Sequence, residues 1–264
     1  MIVAVVNSKG GTGKTTTTVN LAVGLAREGR RVLLLDLDAQ ASASLSLGVG
    51  PAALSPSLAD ALFAGKDLDE VIRPTAYAGL DLVTADMGLA DADLALAGRE
   101  GRERVLRDLL APVELRYDYV LFDCGSSLSL LQVNALVAAD ACLACLPPEY
   151  LAYQGLRVLA RAMTRIKANM GGGPQWLGVL FTMVNPWLNH ATEVMRQAQE
   201  EFAGDVLHTQ IRRDVMLADA PLSGRAIFDH APDSVGAANY AALVGEVIER
   251  SRYITGRGRA SMVF

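Results

Sequence analysis

The chain lacks the marks of several protein classes. Its 264 residues include three cysteines, an odd number and too few for the disulfide framework of a secreted scaffold. No apolar stretch approaches the roughly 20 residues that cross a bilayer. The N-terminal apolar run is too short for a signal peptide and has no basic segment ahead of it, so a cytoplasmic protein without a membrane partner is expected. The net charge of −5 supplies no general basic field, so any contact with DNA must come from a local patch. His190, His208 and His230 are scattered, with no ligand spacing. Cys142 and Cys145 have C-x-x-C spacing, but they fall in an apolar strand-like run. Residues three apart on a strand face opposite sides, so both are expected to be buried and structural.

What the chain does have is an alternation of apolar runs and helical patterns. Strands are expected at 2–6, 32–36, 80–84, 118–123, 141–147 and 177–183, and helices at 15–28, 101–110, 128–138, 151–169, 190–202 and 236–252. Strands separated by helices predict a single-domain α/β fold, a mostly parallel, doubly wound sheet covered on both faces. Continuous apolar runs such as Val32 to Leu35 fit strands buried on both sides. The folded body is expected to span 1–252, followed by a basic tail over 253–264. Ser55-Pro56-Ser57 and the segment from Ala85 to Met87 are expected as surface connections, and Tyr150, Tyr153 and Leu156 as core on one helical face.

Between the first strand and first helix lies Ser8-Lys9-Gly10-Gly11-Thr12-Gly13-Lys14-Thr15-Thr16. A glycine loop joining a strand to a helix lets successive backbone N–H groups converge on phosphate, aided by the helix N-terminus. Gly10, Gly11, Thr12, Gly13 and Thr16 are the candidate phosphate cradle. Lys14 is placed to reach β- and γ-phosphates, and the Thr15 hydroxyl to ligate Mg²⁺. Where G-x-x-x-x-G-K-[ST] would put glycine, the chain has Ser8, and a second lysine, Lys9, follows. One triphosphate does not need both lysines from one subunit. Asp123 closes an apolar strand, where a carboxylate meets the magnesium shell. Asp36 ends another and can hold a magnesium-bound water, and Asp38 follows two residues later.

This loop resembles the deviant Walker A motif of the ParA/MinD ATPases, and the ParA (Soj) group most of all. The similarity continues through Arg31-Val32-Leu33-Leu34-Leu35-Asp36-Leu37-Asp38-Ala39-Gln40, Tyr119 to Cys124, Pro148 to Leu156, and Leu217 to Pro221, and so over nearly the whole chain. The resemblance implies an ATPase using ATP and Mg²⁺ that cycles between a monomer and a nucleotide-sandwich homodimer. Lys9 would then act on the partner's phosphates, and Asp38 would orient the attacking water. Thr182 and Asp214 are the implied base contacts. The resemblance also implies binding of double-stranded DNA without sequence preference, and a ParB-like adaptor that stimulates turnover. It places the protein in the cytoplasm, on the nucleoid when ATP is bound. Arg196 and Arg225 resemble the family's DNA-binding positions. Arg250, Arg252, Arg257 and Arg259 are added on composition, because no acidic residue stands among them. The chain departs from the family where Gly125 and Ser126 follow Cys124 in place of two prolines, which predicts a looser loop and slower or more partner-dependent hydrolysis. It has Ala39 in the family's Asp-Pro-Gln and Arg212 in its Ile-Pro-Arg. An iron–sulfur role for Cys124 is rejected, since no cysteine precedes it. A MinD-like membrane regulator is the alternative. It needs an amphipathic C-terminal helix, which Gly256 and Gly258 are expected to interrupt. A cofactor-biosynthesis amidoligase would need a glutaminase partner. The chain begins at its first strand, so the N-terminal helix-turn-helix region of longer plasmid relatives is not expected.

Overall fold

The structure, a computed structural model, describes residues 1–185 and 189–260, without the side chains of 189–191 and 255–260. Eight strands form one sheet: β1 (Ile2–Val6), β2 (Val32–Asp36), β3 (Ile72–Pro74), β4 (Leu80–Val83), β5 (Tyr119–Asp123), β6 (Ala141–Leu146), β7 (Gln175–Val184) and β8 (Val206–Arg212). Their order across the sheet is β3-β4-β2-β5-β1-β6-β7-β8. The pairs are parallel except β3, which runs antiparallel to β4. The helices are α1 (Lys14–Arg27), α2 (Ser42–Ser46), α3 (Leu58–Phe63), α4 (Leu68–Val71), α5 (Ala92–Ala97), α6 (Val105–Leu110), α7 (Leu130–Ala138), α8 (Tyr150–Met170), α9 (Asn189–Glu201), α10 (Val215–Asp219), α11 (Ile227–His230) and α12 (Val235–Ala260).

The strand period of two sorts the core into two layers. Val6, Leu35, Phe122 and Cys142 pack on one face. Val5, Leu34, Leu121 and Cys145 pack on the other, with Tyr240 of α12. The two cysteines of the C-x-x-C run thus part to opposite layers, both buried and free. The C-terminal ends of β1, β2 and β5 lie side by side. Asp36 and Asp123 are direct register partners, and β1 stands between β5 and β6. The chain leaves β1 toward β2 on one side and later fills β6 on the other. That is the topological switch at which open α/β sheets bind ligands.

The structure differs from the sequence reading in several places. β3 and β8 were not expected. β8 is an edge strand with only Leu207 and Ile211 buried, so its sequence carries little apolar signal. Ser57 is wholly buried rather than on a surface connection. It caps α3 in a reciprocal box with Asp60. Ala85 is also buried, its N–H donating to Ser44 Oγ at 3.3 Å. Tyr150 is 62% exposed, whereas Tyr153 and Leu156 are buried as expected. The last helix runs from Val235 to Ala260, across residue 252 and through Gly256 and Gly258. An isolated glycine costs a helix about 1 kcal/mol and need not end it. Residues 261–264 of the expected tail lie outside the described residues.

Candidate active site

The loop after β1 is built by contacts from distant segments. Asn7, fully buried, donates through Nδ2 to the Cys145 carbonyl at 2.6 Å and accepts the Lys9 N–H on Oδ1 at 3.0 Å. Gly11 and Gly13 have φ of +70° and +81°, the left-handed region that glycine enters without steric penalty. A Cβ on Gly155 of α8 would stand 2.7 Å from Ser8 Oγ and 3.0 Å from Asn7 Oδ1, so the bare backbone there lets α8 approach the loop. Thr182 donates to the Thr12 carbonyl at 2.8 Å. Lys14 is buried and folds back over the loop, its Nζ donating to the Lys9 carbonyl at 3.1 Å.

Beneath the loop, two buried carboxylates meet. Asp123 accepts from Thr15 Oγ1 at 2.8 Å and from Thr18 Oγ1 at 3.1 Å. Asp36 accepts from Ser44 N and Oγ at 2.9 and 2.8 Å and from the Asp38 N–H at 3.2 Å. Burial raises the pKa of both, and the neighbouring Asp36 charge raises that of Asp123 further. Two buried carboxylates on adjacent strand ends, with a threonine hydroxyl beside them, favour a cation. No group of three or more His, Cys, Asp or Glu forms a metal cage among the described residues. That fits Mg²⁺, which takes one or two carboxylates and fills its octahedron with water and phosphate oxygens.

Asp38 is partly exposed. Its Oδ1 accepts the Gln40 N–H at 3.0 Å, and its Oδ2 lies 3.6 Å from where a Cβ on Gly125 would be. Lys9 does not turn into its own loop. Its Nζ pairs with Glu149 Oε2 at 2.5 Å, with the two side chains 36% and 56% exposed. On the far side of Gly13 opens a cavity of about 460 Å³, lined by Thr16, Thr182, Arg212, Asp214 and Tyr240 among others. Asp214 caps α10, accepting the Met216 N–H at 3.0 Å, and accepts the Gly236 N–H at 2.8 Å. Thr182 and Asp214 therefore stand at the cavity wall while also holding backbone.

The arginines are not brought together. Arg225 is exposed on an open groove of about 780 Å³ with Arg27, Tyr77 and Asp229. Arg196 on α9 is clasped by Glu193 and Glu200 at 2.7 and 2.5 Å, and these two carboxylates hold its pKa above the usual value. Arg250 differs most from expectation. It donates to the carbonyls of Leu177, Asp205 and Val206 at 3.3, 3.3 and 2.8 Å and pairs with Glu246 at 3.2 Å, so it ties α12 to the sheet. Arg252 is exposed on α12, and the side chains of Arg257 and Arg259 lie outside the described residues.

Sequence reasoning missed Asn7, Thr18, Ser44 and Glu149. Only Thr18 left a signal, three residues after Thr15 and hence on the same helical face.

The AAA domain family AAA_31 matches residues 1–172. The chain is 37% identical over 246 residues to the sporulation initiation inhibitor protein Soj of Bacillus subtilis, covering 93% of this chain and 97% of that one. It is 35% identical over 249 residues to the chromosome partitioning protein ParA of Myxococcus xanthus, covering 94% and 88%. Its structure is similar to that of cobyrinic acid a,c-diamide synthase from Mycobacterium smegmatis with bound ADP and magnesium. The TM-score is 0.83 at 29% identity, over 97% of this chain and 96% of that one.

Proposed function

Because the chain belongs to the AAA_31 family and to its ParA/Soj-type ATPases, we propose that it is a DNA-partitioning ATPase, a monomer that ATP converts to a sandwich dimer. ATPase activity with ATP and Mg²⁺ follows from the family. The position of Lys9 carries the rest of the reading. A lysine inside a phosphate loop that points out to a surface carboxylate, while Lys14 covers the loop, supports a role for it on another subunit's nucleotide. The N–H groups of Gly10 to Thr16 would hold the phosphates, with Lys14 as their counter-charge. Thr15 and Asp123 would hold the magnesium ion and Asp36 a water on it. When bound, magnesium neutralises charge on the phosphate oxygens. Asp38 orients the attacking water.

In this reading the ATP dimer doubles a weak basic surface around Arg225, which binds duplex DNA without sequence preference, and a ParB-like adaptor stimulates turnover. Arg250 leaves the proposed DNA surface, since its donors already engage the protein. Arg196 and Arg252 stay in it as secondary contacts. No described helix is long and apolar enough to cross a membrane. The continuous helix to Ala260 keeps a surface-bound, MinD-like reading in play, and co-sedimentation with plasmid or with liposomes under ATP separates the two. The test of Lys9 is light scattering of Lys9→Ala combined with Asp38→Ala under ATP. The double variant is expected to bind nucleotide as a monomer, and a normal dimer would overturn the trans role.

A further inference from the structure

Beside Asp38 is a second, smaller cavity of about 250 Å³, which borders the phosphate loop where Ser126 Cβ lies 3.7 Å from the place of a Cβ on Gly10. It is lined by Asp38, Asp93, Gly125, Ser126, Ser129 and Gln132 among others. Gln132 is only 3% exposed, and neither its Oε1 nor its Nε2 has a hydrogen-bond partner among the described residues. Its backbone, by contrast, is held firmly. The Gln132 N–H donates to Ser129 Oγ at 3.1 Å, and the Asp93 carboxylate accepts the Leu130 and Leu131 N–H groups at 2.9 and 3.3 Å. The first turn of α7 therefore fixes an amide with two donors and an acceptor at the wall of the chamber.

A buried amide without protein partners calls for water to satisfy it. The chamber has room for several waters at about 30 Å³ each, and it offers them polar partners in Asp38, Ser126 and Gln132. Asp38 completes the geometry. Its Oδ1 is held by Gln40, while its Oδ2 faces Gly125 on the chamber side.

We propose that Gln132 is a positioning residue for hydrolysis. Through water held in this chamber, its amide fixes the second oxygen of Asp38, and so sets the angle at which Asp38 holds the attacking water. This rests on Asp38 as the water-orienting group.

The test uses the full chain with Gln132→Leu and, as a second variant of matching length, Gln132→Met. Both keep a side chain of similar bulk and remove only the amide, so both should melt close to the wild-type temperature and bind ATP with unchanged affinity. They should also form the ATP dimer normally, with kcat reduced about tenfold, in the range found when an outer positioning group is lost. On an Asp38→Asn background, where the group being positioned is already changed, Gln132→Leu should not lower the residual single-turnover rate further. Wild-type kcat in both variants overturns the proposal. So does a loss of kcat accompanied by a lower melting temperature or weaker ATP binding, or an equal loss with and without Asp38. If Asp38→Asn itself turns over at the wild-type rate, the reading of Asp38 fails instead, which is a separate result.

Discussion

Asp38 and Lys14 belong to one candidate site, yet their loss separates two steps. Asp38→Ala removes a partly exposed carboxylate that, among the described residues, accepts the Gln40 N–H. The phosphate cradle stays whole, so ATP binding and dimerisation should persist while turnover falls by at least a hundredfold. Equal turnover in a phosphate-release assay would refute that role. Lys14→Ala removes the buried cation over the loop and should abolish ATP binding itself, as read by fluorescent-nucleotide titration. Glu149 allows a subtler test. The Lys9–Glu149 pair is exposed, and such pairs contribute about 0–1 kcal/mol. Glu149→Ala should therefore strengthen ATP dimerisation, by no more than about fivefold, in light-scattering titrations of hydrolysis-blocked protein. Weaker dimerisation would mean that Glu149 serves the dimer rather than restraining Lys9. The loop, Asp36, Asp38 and Asp123 were legible in the sequence because their chemistry is local, glycines and carboxylates at strand ends. Asn7, Glu149 and Gln132 were not. Their roles depend on pairings such as Asn7 with Cys145, 138 residues apart, or on a missing partner, which no local pattern records.

Among the elements, the central strands were readable because burial on both faces makes them continuous apolar runs. The edge was not. β8 carries His208, Thr209 and Gln210 through its middle, and α12 supplies what its sequence lacks. Glu246 accepts the His208 and Thr209 N–H groups at 2.9 and 2.8 Å and pairs with Arg250 at 3.2 Å. Burial alone would raise the Glu246 pKa, but these two donors and Arg250 outweigh it and hold the pKa below the usual glutamate value. A lowered folded pKa means that the charged form stabilises the fold. That contribution is present above the unfolded pKa of about 4.3 and is lost as pH falls through the folded value. Glu246→Ala should lower stability by about 1–3 kcal/mol at neutral pH. Its melting temperature should converge on that of wild type as pH drops below about 4. A gap between the two that does not narrow with acid would show that Glu246 acts through packing alone.

For the whole molecule, the net charge of −5 sets the terms. A negatively charged protein binds a polyanion only through a local surface, and here the expected arginines are dispersed. Arg225 stands free of the sheet, Arg196 is held by two carboxylates, and Arg250 is a strut. One subunit should therefore bind DNA too weakly to detect, while the ATP dimer joins two such surfaces and gains avidity. Binding to duplex DNA should require ATP, ignore sequence, and weaken with salt at a slope of about −0.9 per phosphate neutralised. Arg225→Ala should flatten that slope and leave the dimer intact. Arg196→Ala should do less, because its charge is already matched. The reading fails if wild type with ATP does not shift duplex DNA at low salt.

The helix that begins at Lys14 is also the one most tightly joined to the end of the chain. Thr17 Oγ1 and Tyr240 Oη meet at 3.1 Å in the core. A Cβ on Gly24 would come within 2.4 Å of Val244 Cγ2, and further along α12 the sheet takes over, with Tyr119 Oη of β5 meeting Ser251 Oγ at 2.8 Å. α1 cannot open without disturbing α12, so the two belong to one unit of local unfolding. A ligand present at a hundredfold over its Kd adds about 2.7 kcal/mol to every opening that destroys its site. Amide hydrogens along α12 as far as Ser251 should thus exchange more slowly with solvent once ATP is bound, well beyond Tyr240, which lines the cavity beside Gly13. Isotope exchange at the far end of the chain then becomes a record of what the near end holds.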